Sequence, residues 1–288
     1  ALEKTGYDVG LFSRIIQKGS FAFDIDLNLT HFESTITDIP DGEIISDLPG
    51  GAQLINRIGS PANSFYGYQY EGVFSTQAEA ESAGKVNDKG IPFRAGDAVF
   101  ADLSGPDGVP DQVINEYDKV ILGSSAPDFS GGASMAVFFK GFRLDMFWQF
   151  VVGNEVYNYL RYQNERMTDL SNQSSAVLNR WVTEGQITDI PRATWDDPIG
   201  NSAFSSRWIE DGSYIRLKQI TLSYDFADGL GFFRSLGFFI TGSNLFTSTN
   251  YLSYDPEFAY SFNSQLQGID YGLMPMGKRV MVGVKFGL

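Results

Sequence analysis

Seven stretches of the chain alternate apolar and polar residues over the length of a strand, and the connections between them are by turns very short and very long. In Phe21 to Thr30 (FAFDIDLNLT), Phe21, Phe23, Ile25, Leu27 and Leu29 fall on one parity, and Asp24, Asp26, Asn28 and Thr30 on the other. A period of two makes a strand with one apolar and one polar face. The same reading gives spans over 7–16, 20–34, 129–139, 142–152, 214–226, 236–246 and 278–288. In 142–152, Phe142, Leu144, Met146, Trp148, Phe150 and Val152 alternate with Arg143, Asp145 and Gln149, while Phe147 and Val151 interrupt the polar parity. In the last span Val280, Val282, Val284, Phe286 and Leu288 alternate with Arg279, Gly283 and Lys285. The short connections are Gln17-Lys18-Gly19, Lys140-Gly141 and the segment around Asp228-Gly229-Leu230-Gly231; the long ones are 35–127, 153–213 and 247–277.

Two architectures fit this pattern: a soluble antiparallel sheet with its apolar face inward, or a membrane barrel. Strands of ~9–11 residues and hairpins that alternate tight turns with long loops favour the barrel, whose short turns face the periplasm. The strand-like Ser64–Phe74 belongs inside the first long loop, because counting it as a span breaks the alternation. An odd number of spans then starts the chain on the extracellular side at Ala1, and we expect a missing N-terminal part to supply the other strands. An open sheet in lipid would leave edge groups unpaired.

Composition removes other classes. No apolar run reaches the ~20 residues of a membrane helix. With 288 residues and no cysteine, the chain has neither disulfides nor thiolate metal sites. The net charge of −14 argues against nucleic acid as a partner.

Several ordered segments add a family likeness. Glu210–Phe226 (EDGSYIRLKQITLSYDF) resembles a strand signature of the SusC/RagA-like TonB-dependent outer-membrane transporters. Gly242–Phe258 (GSNLFTSTNYLSYDPEF) is similar to that family's penultimate strand and loop, and GIDYGLMP at Gly268–Pro275 to its ending. DLSGPDGVPDQVINEYDKVILGSSAPDFSGG and VVGNEVYN match upstream in the same order. The resemblance covers nearly the whole chain. It implies an all-β fold: an antiparallel transmembrane β-barrel segment, about seven of 22 strands, with long extracellular loops. Residues 1–288 would be the C-terminal portion of the barrel, with the plug domain absent from this chain. The implied function is TonB-dependent import of oligosaccharides or peptides across the outer membrane. The implied partners are the N-terminal part of the same barrel with its plug, a SusD-like surface lipoprotein, the TonB complex acting through that N-terminal part, and outer-membrane lipid. A non-transporting structural or binding barrel in a surface complex is the competing reading.

Candidate sites are few. Asp102, Asp107 and Asp111 surround Gly105 and Gly108 in a turn with calcium-loop character, but an acidic residue at the twelfth position is lacking. They are the candidate metal ligands, with Ca2+ as the only candidate cofactor. Loop aromatics suit sugar or peptide recognition, and Trp181, Trp195 and Tyr254 are the candidate ligand contacts. Asn172–Glu184 (NQSSAVLNRWVTE) has helical spacing at Ala176, Val177, Arg180, Trp181 and Glu184, and is expected to pack an apolar stripe on neighbouring loops. His31, the only histidine, reads as an aromatic at the membrane interface. With no nucleophile–base set around it, an enzyme is not expected.

Overall fold

In a computed structural model, the described residues are 1–226, 233–258 and 266–287. The turn read at Asp228–Gly231 and the terminal Leu288 lie outside them. Seven strands form one antiparallel sheet in chain order: β1 (Leu2–Lys18), β2 (Phe21–Ile36), β3 (Phe129–Phe139), β4 (Phe142–Val152), β5 (Tyr214–Phe226), β6 (Ser235–Thr249) and β7 (Arg279–Gly287). Each expected span is a strand, and Ser64–Tyr68 and Tyr70–Val73 fall within the first long connection. Several strands outrun the alternating pattern. Leu2–Gly6 pairs with Phe32–Ile36, because the backbone ladder continues after the apolar alternation stops. The turn between β1 and β2 is Gly19-Ser20, one residue later than the sequence suggests, since Lys18 still pairs with Phe21. At the next hairpin Lys140 and Gly141 both take positive φ (47° and 87°), as a two-residue turn matched to strand twist requires.

The register decides what shares a face. Leu11, Leu27, Ala133, Trp148, Leu217 and Phe246 lie directly opposite one another across six strands, and Ile25, Met135, Met146 and Ile220 form the neighbouring row. Both rows belong to one apolar face. Ser13 and Lys18 of β1 also fall on it, opposite Ile25 and Phe21, and register shifts reset its phase along the strands. Ile15 is extra between Arg14 and Ile16, and Lys218 is extra between Leu217 and Gln219. A one-residue slip would otherwise send every later apolar residue to the opposite face.

All three long connections leave the same end of the sheet. Together they form a packed cap with its own core: Leu54 and Phe65 from the first, Tyr157, Phe204 and Trp208 from the second, and Ile269 from the third. Backbone bonds join them, from Tyr68 N to Phe204 O (3.1 Å), Tyr157 N to Gly268 O (2.8 Å) and Asp270 N to Tyr157 O (2.9 Å). Gly50, at φ 77°, sits where a Cβ would fall 2.6 Å from the Tyr157 hydroxyl, so the first loop approaches the second closely only because no side chain intervenes. Two short helices lie in the cap, α1 (Gln77–Ala83) and α2 (Tyr159–Glu165). Thr76 and Glu79 close a capping box at the start of α1. The helix expected over Asn172–Glu184 is instead a 3-10 turn at Ser175–Asn179. Arg180 leaves the helical region at ψ 153°, and Gln186 bonds back to Val182 N and Arg180 O, folding the chain on itself.

Candidate functional site

The polar face of the sheet is the first candidate surface. Arg14 and Asp24 are cross-strand partners held by two bonds (2.6 and 2.8 Å), and Arg143 grips Asp145 two residues along β4. Small residues lie between them: Ala136 separates Asp24 from Asp145, and Ser134 separates Asp26 from Phe147. The result is a hollow of about 570 Å³ lined by Phe12, Asp24, Asp26, Arg143, Asp145 and Phe147. Phe12 and Phe147, on the polar side, give the hollow aromatic walls.

The second surface is the cap. Trp208 is fully buried, donates Nε1 to Ala203 O (3.2 Å) and meets Tyr162 edge-on at 5.3 Å. Arg161 bonds Glu165 (3.2 Å) and Glu210 (3.0 Å), and the Arg207 guanidinium lies 4.4 Å over the Trp208 ring. Burial pushes the Arg207 guanidinium below its ordinary value and the Glu155 carboxyl above its own. Burial likewise pushes the Tyr68 and Tyr70 hydroxyls up to about 12. Beside α2, a cavity of about 420 Å³ is lined by Asn158, Arg161, Glu165, Leu252 and Tyr254.

The sequence candidates are spread through this cap. Tyr254 is exposed at the rim of the α2 cavity, and Trp195 is exposed beside Asp196 and Asp197, which line a separate cavity of about 470 Å³. Trp181 is held by the fold: its Nε1 donates to Ser75 O (3.0 Å), and its ring closes over Gly96. Asp102 and Asp111 come together through the backbone. Asp102 accepts Asp111 N (3.2 Å) and Gln112 N (2.7 Å), while Asp111 accepts Val113 N (3.0 Å). Asp107 is exposed at the turn, and among the described residues no group of three His, Asp or Glu side chains is arranged to hold a metal. The carboxylate that organises this loop is Asp118, fully buried, which accepts Leu103 N, Ser104 N and Asn115 N. His31 lies between Tyr7 (5.2 Å) and Phe129 (5.1 Å) on the apolar face, with Nδ1 2.6 Å from Asp128 O.

Sequence reasoning missed one cluster. Arg216 donates Nε to Thr247 Oγ1 (2.9 Å), Nη1 to Glu257 (2.7 Å) and Nη2 to Asp255, and Lys218 bonds both Glu257 oxygens (2.7 and 2.8 Å). Burial opposes ionisation of Asp255, yet the bonds from Arg216 and from the Met276 and Glu257 amides hold its carboxyl below the usual range. The signal was present: the apolar parity of β5 slips between Leu217 and Ile220, and the Asp255-Pro256-Glu257 run supplies two acids.

No known family profile matches the chain. Relatives do. The chain is 30% identical to TonB-dependent receptor P3 of Formosa agariphila over 297 residues, covering 98% of this chain and 28% of that protein. It is 27% identical to receptor P26 of the same organism, over 99% of this chain and 29% of the relative. Among solved structures, the RagAB peptide transporter superposes with a TM-score of 0.76 at 22% identity, over 99% of this chain and 29% of that one. The RagAB importer in its open-open state gives the same score over 100% of this chain. The chain thus spans less than a third of each of these proteins. The fold is that of an outer-membrane barrel wall, although a closed barrel is not formed by these strands alone. Over nearly its whole length the chain is thus similar to one part of TonB-dependent receptors, and it shares the fold of the matching part of RagAB.

Proposed function

We propose that this segment forms part of the wall and outer loops of a nutrient importer in the outer membrane. The observation that carries the reading is the register-locked division of the sheet: one face is mostly apolar over seven strands, with Ser13 and Lys18 of β1 as polar interruptions, and the opposite face is mostly polar. Such an apolar face suits lipid and such a polar face suits a lumen. On this reading Phe21 and Phe23 lie toward the periplasmic side, His31 toward the outer side, and the cap faces the medium. The remaining strands and the plug come from the rest of the receptor, coupling to TonB drives passage, and a SusD-like lipoprotein covers the outer mouth. Cargo is an oligosaccharide or a peptide. The exposed Trp195 and Tyr254 rings are its contacts on the cap, and the polar hollow lies on its path. No bond in the cargo is made or broken, so the segment is not read as an enzyme. Calcium in the 102–111 turn would need Asp107 to fold back onto Asp102 and Asp111; calorimetric titration of the receptor with Ca2+ decides that point.

The test is uptake of labelled oligosaccharides and peptides by cells carrying the full-length receptor, with and without a functional TonB. Energy-dependent uptake lost on deletion of the receptor is expected. Equal uptake in the deletion strain would sink the import reading and favour a structural role.

A further inference from the structure

The cap cavity of about 470 Å³ lies between two of the long connections, with Tyr68 and Lys119 from the first and Tyr162 and Arg166 from the second. Its charged lining residues are Lys119, Arg166, Asp169, Asp196 and Asp197. Three of these are committed to the fold. Arg166 pairs with Asp169. Asp197 accepts Gly200 N (3.2 Å) and Asn201 N (2.8 Å) on one oxygen, and Ser202 N and Ser202 Oγ (2.7 Å each) on the other. Lys119 and Asp196 are left over, and among the described residues neither has an ion-pair partner. Lys119 Nζ gives one of its three donors to Gln53 Oε1 (3.0 Å) and lies 5.5 Å from the centre of the Tyr68 ring. Arg166 adds an unused donor, since its Nε is buried with no hydrogen-bond partner. Asp196 is fixed through its backbone, N to Thr168 O (2.9 Å). It holds φ 58°, with Asp197 at 40° and Met167 at 52°. Non-glycine residues adopt such angles at a cost, and strain of this kind gathers at ligand clamps.

A free cation and a free carboxylate in one cavity match a ligand that carries both signs. A neutral sugar leaves each without a counter-charge. A short peptide brings a carboxylate at one end and an ammonium at the other, and the Tyr68 and Tyr162 rings suit the chain between them. We infer that this cavity is a binding site for a short peptide with both ends free: Lys119, helped by Arg166 Nε, takes the α-carboxylate, and Asp196 takes the α-ammonium. That the peptide is cargo rests on the import reading; the binding site does not.

The experiment is calorimetric titration of the full-length receptor in detergent with trialanine, its N-acetyl form, its C-terminal amide and maltotriose. Trialanine should bind, and blocking either end should weaken binding by at least about tenfold. Lys119→Met should bind trialanine and its amide alike while still rejecting the acetylated form. Asp196→Asn should do the reverse. Lys119→Gln, which keeps a polar group beside Gln53, decides the matter if Lys119→Met fails to fold. The inference is overturned if trialanine does not bind, if the wild type takes free and blocked peptides equally, or if the variants discriminate as the wild type does. Maltotriose binding that the same substitutions abolish overturns it in favour of a sugar site. Uptake of labelled trialanine by cells is read separately. Binding with end discrimination but no TonB-dependent uptake supports the site and counts against the import reading; uptake without end discrimination in binding overturns the site alone.

Discussion

The sheet and the cap invert the usual relation between strands and loops. Val282 lies mid-strand and is 72% exposed, whereas Trp208 lies in a long connection and is fully buried. The sheet is held together by its backbone ladder and leaves a largely apolar face exposed. In water, a face of that extent would mark an interaction or aggregation surface. The cap obeys the rule for soluble proteins: apolar side chains from three separated segments leave water together and form a core. On the proposed reading two solvents, lipid and water, are thus written into one chain.

The largest effect expected from breaking this contrast is in the cap. Trp208→Ala removes the ring that joins the loops and should cost about 4 kcal/mol. Limited proteolysis should then cut within 153–213, while the strands keep the heat-resistant gel migration of a folded barrel. If the strands fail as well, the two regions are not separable. The next test is in the sheet. Ile25→Arg places a charge in the middle of the apolar face and should cost about 2–4 kcal/mol of folding in a bilayer. The same substitution one residue on, Asp26→Arg, falls on the polar face and should fold normally. Equal urea midpoints for the two variants would break the assignment of faces.

A pH series sharpens the comparison further. Tyr68 and Tyr70 in the cap ionise at about 12 rather than at the ordinary 10.0, because burial penalises the phenolate. A folded-state pKa raised this way gives stability that is complete below pH 10 and is lost as pH rises through about 12. Tyrosinate absorbance and loss of protease resistance in the cap should therefore appear together in that window; early ionisation of both residues in the intact cap would contradict their burial. The smallest effect is expected at Arg57 and Glu43, an ion pair with both side chains largely exposed. Arg57→Ala should change stability by less than about 1 kcal/mol, so a thermal midpoint indistinguishable from wild type is the expected result.

Much of the wall was legible because its information is local. FAFDIDLNLT fixes its own two faces by a period of two, and the alternation of short and long connections orders the hairpins without knowledge of any contact. Legibility stopped where a residue's role depends on a distant partner. Asn172–Glu184 carries helical spacing, yet Gln186 and the backbone bond from Trp181 N to Ile190 O pull it into a turn. Asp102 and Asp111 have the chemistry of metal ligands, yet the sequence does not show that three of their four oxygens accept nearby amides, or that Asp118 reaches back to anchor the loop. In the sequence Trp181, Trp195 and Tyr254 are equivalent loop aromatics, and only the tertiary structure packs Trp181 against Gly96 and Ser75 while the other two are exposed.

By itself, the sequence determined the strands, their order and which parity is apolar, because alternation along a strand needs no tertiary partner. Only the tertiary structure decided how the bulges at Ile15 and Lys218 hold the faces in phase, how three loops share one core, and how Arg216 meets Asp255 across 39 residues of chain. Those outcomes depend on packing and charge pairing between segments far apart in sequence, which local periodicity does not encode.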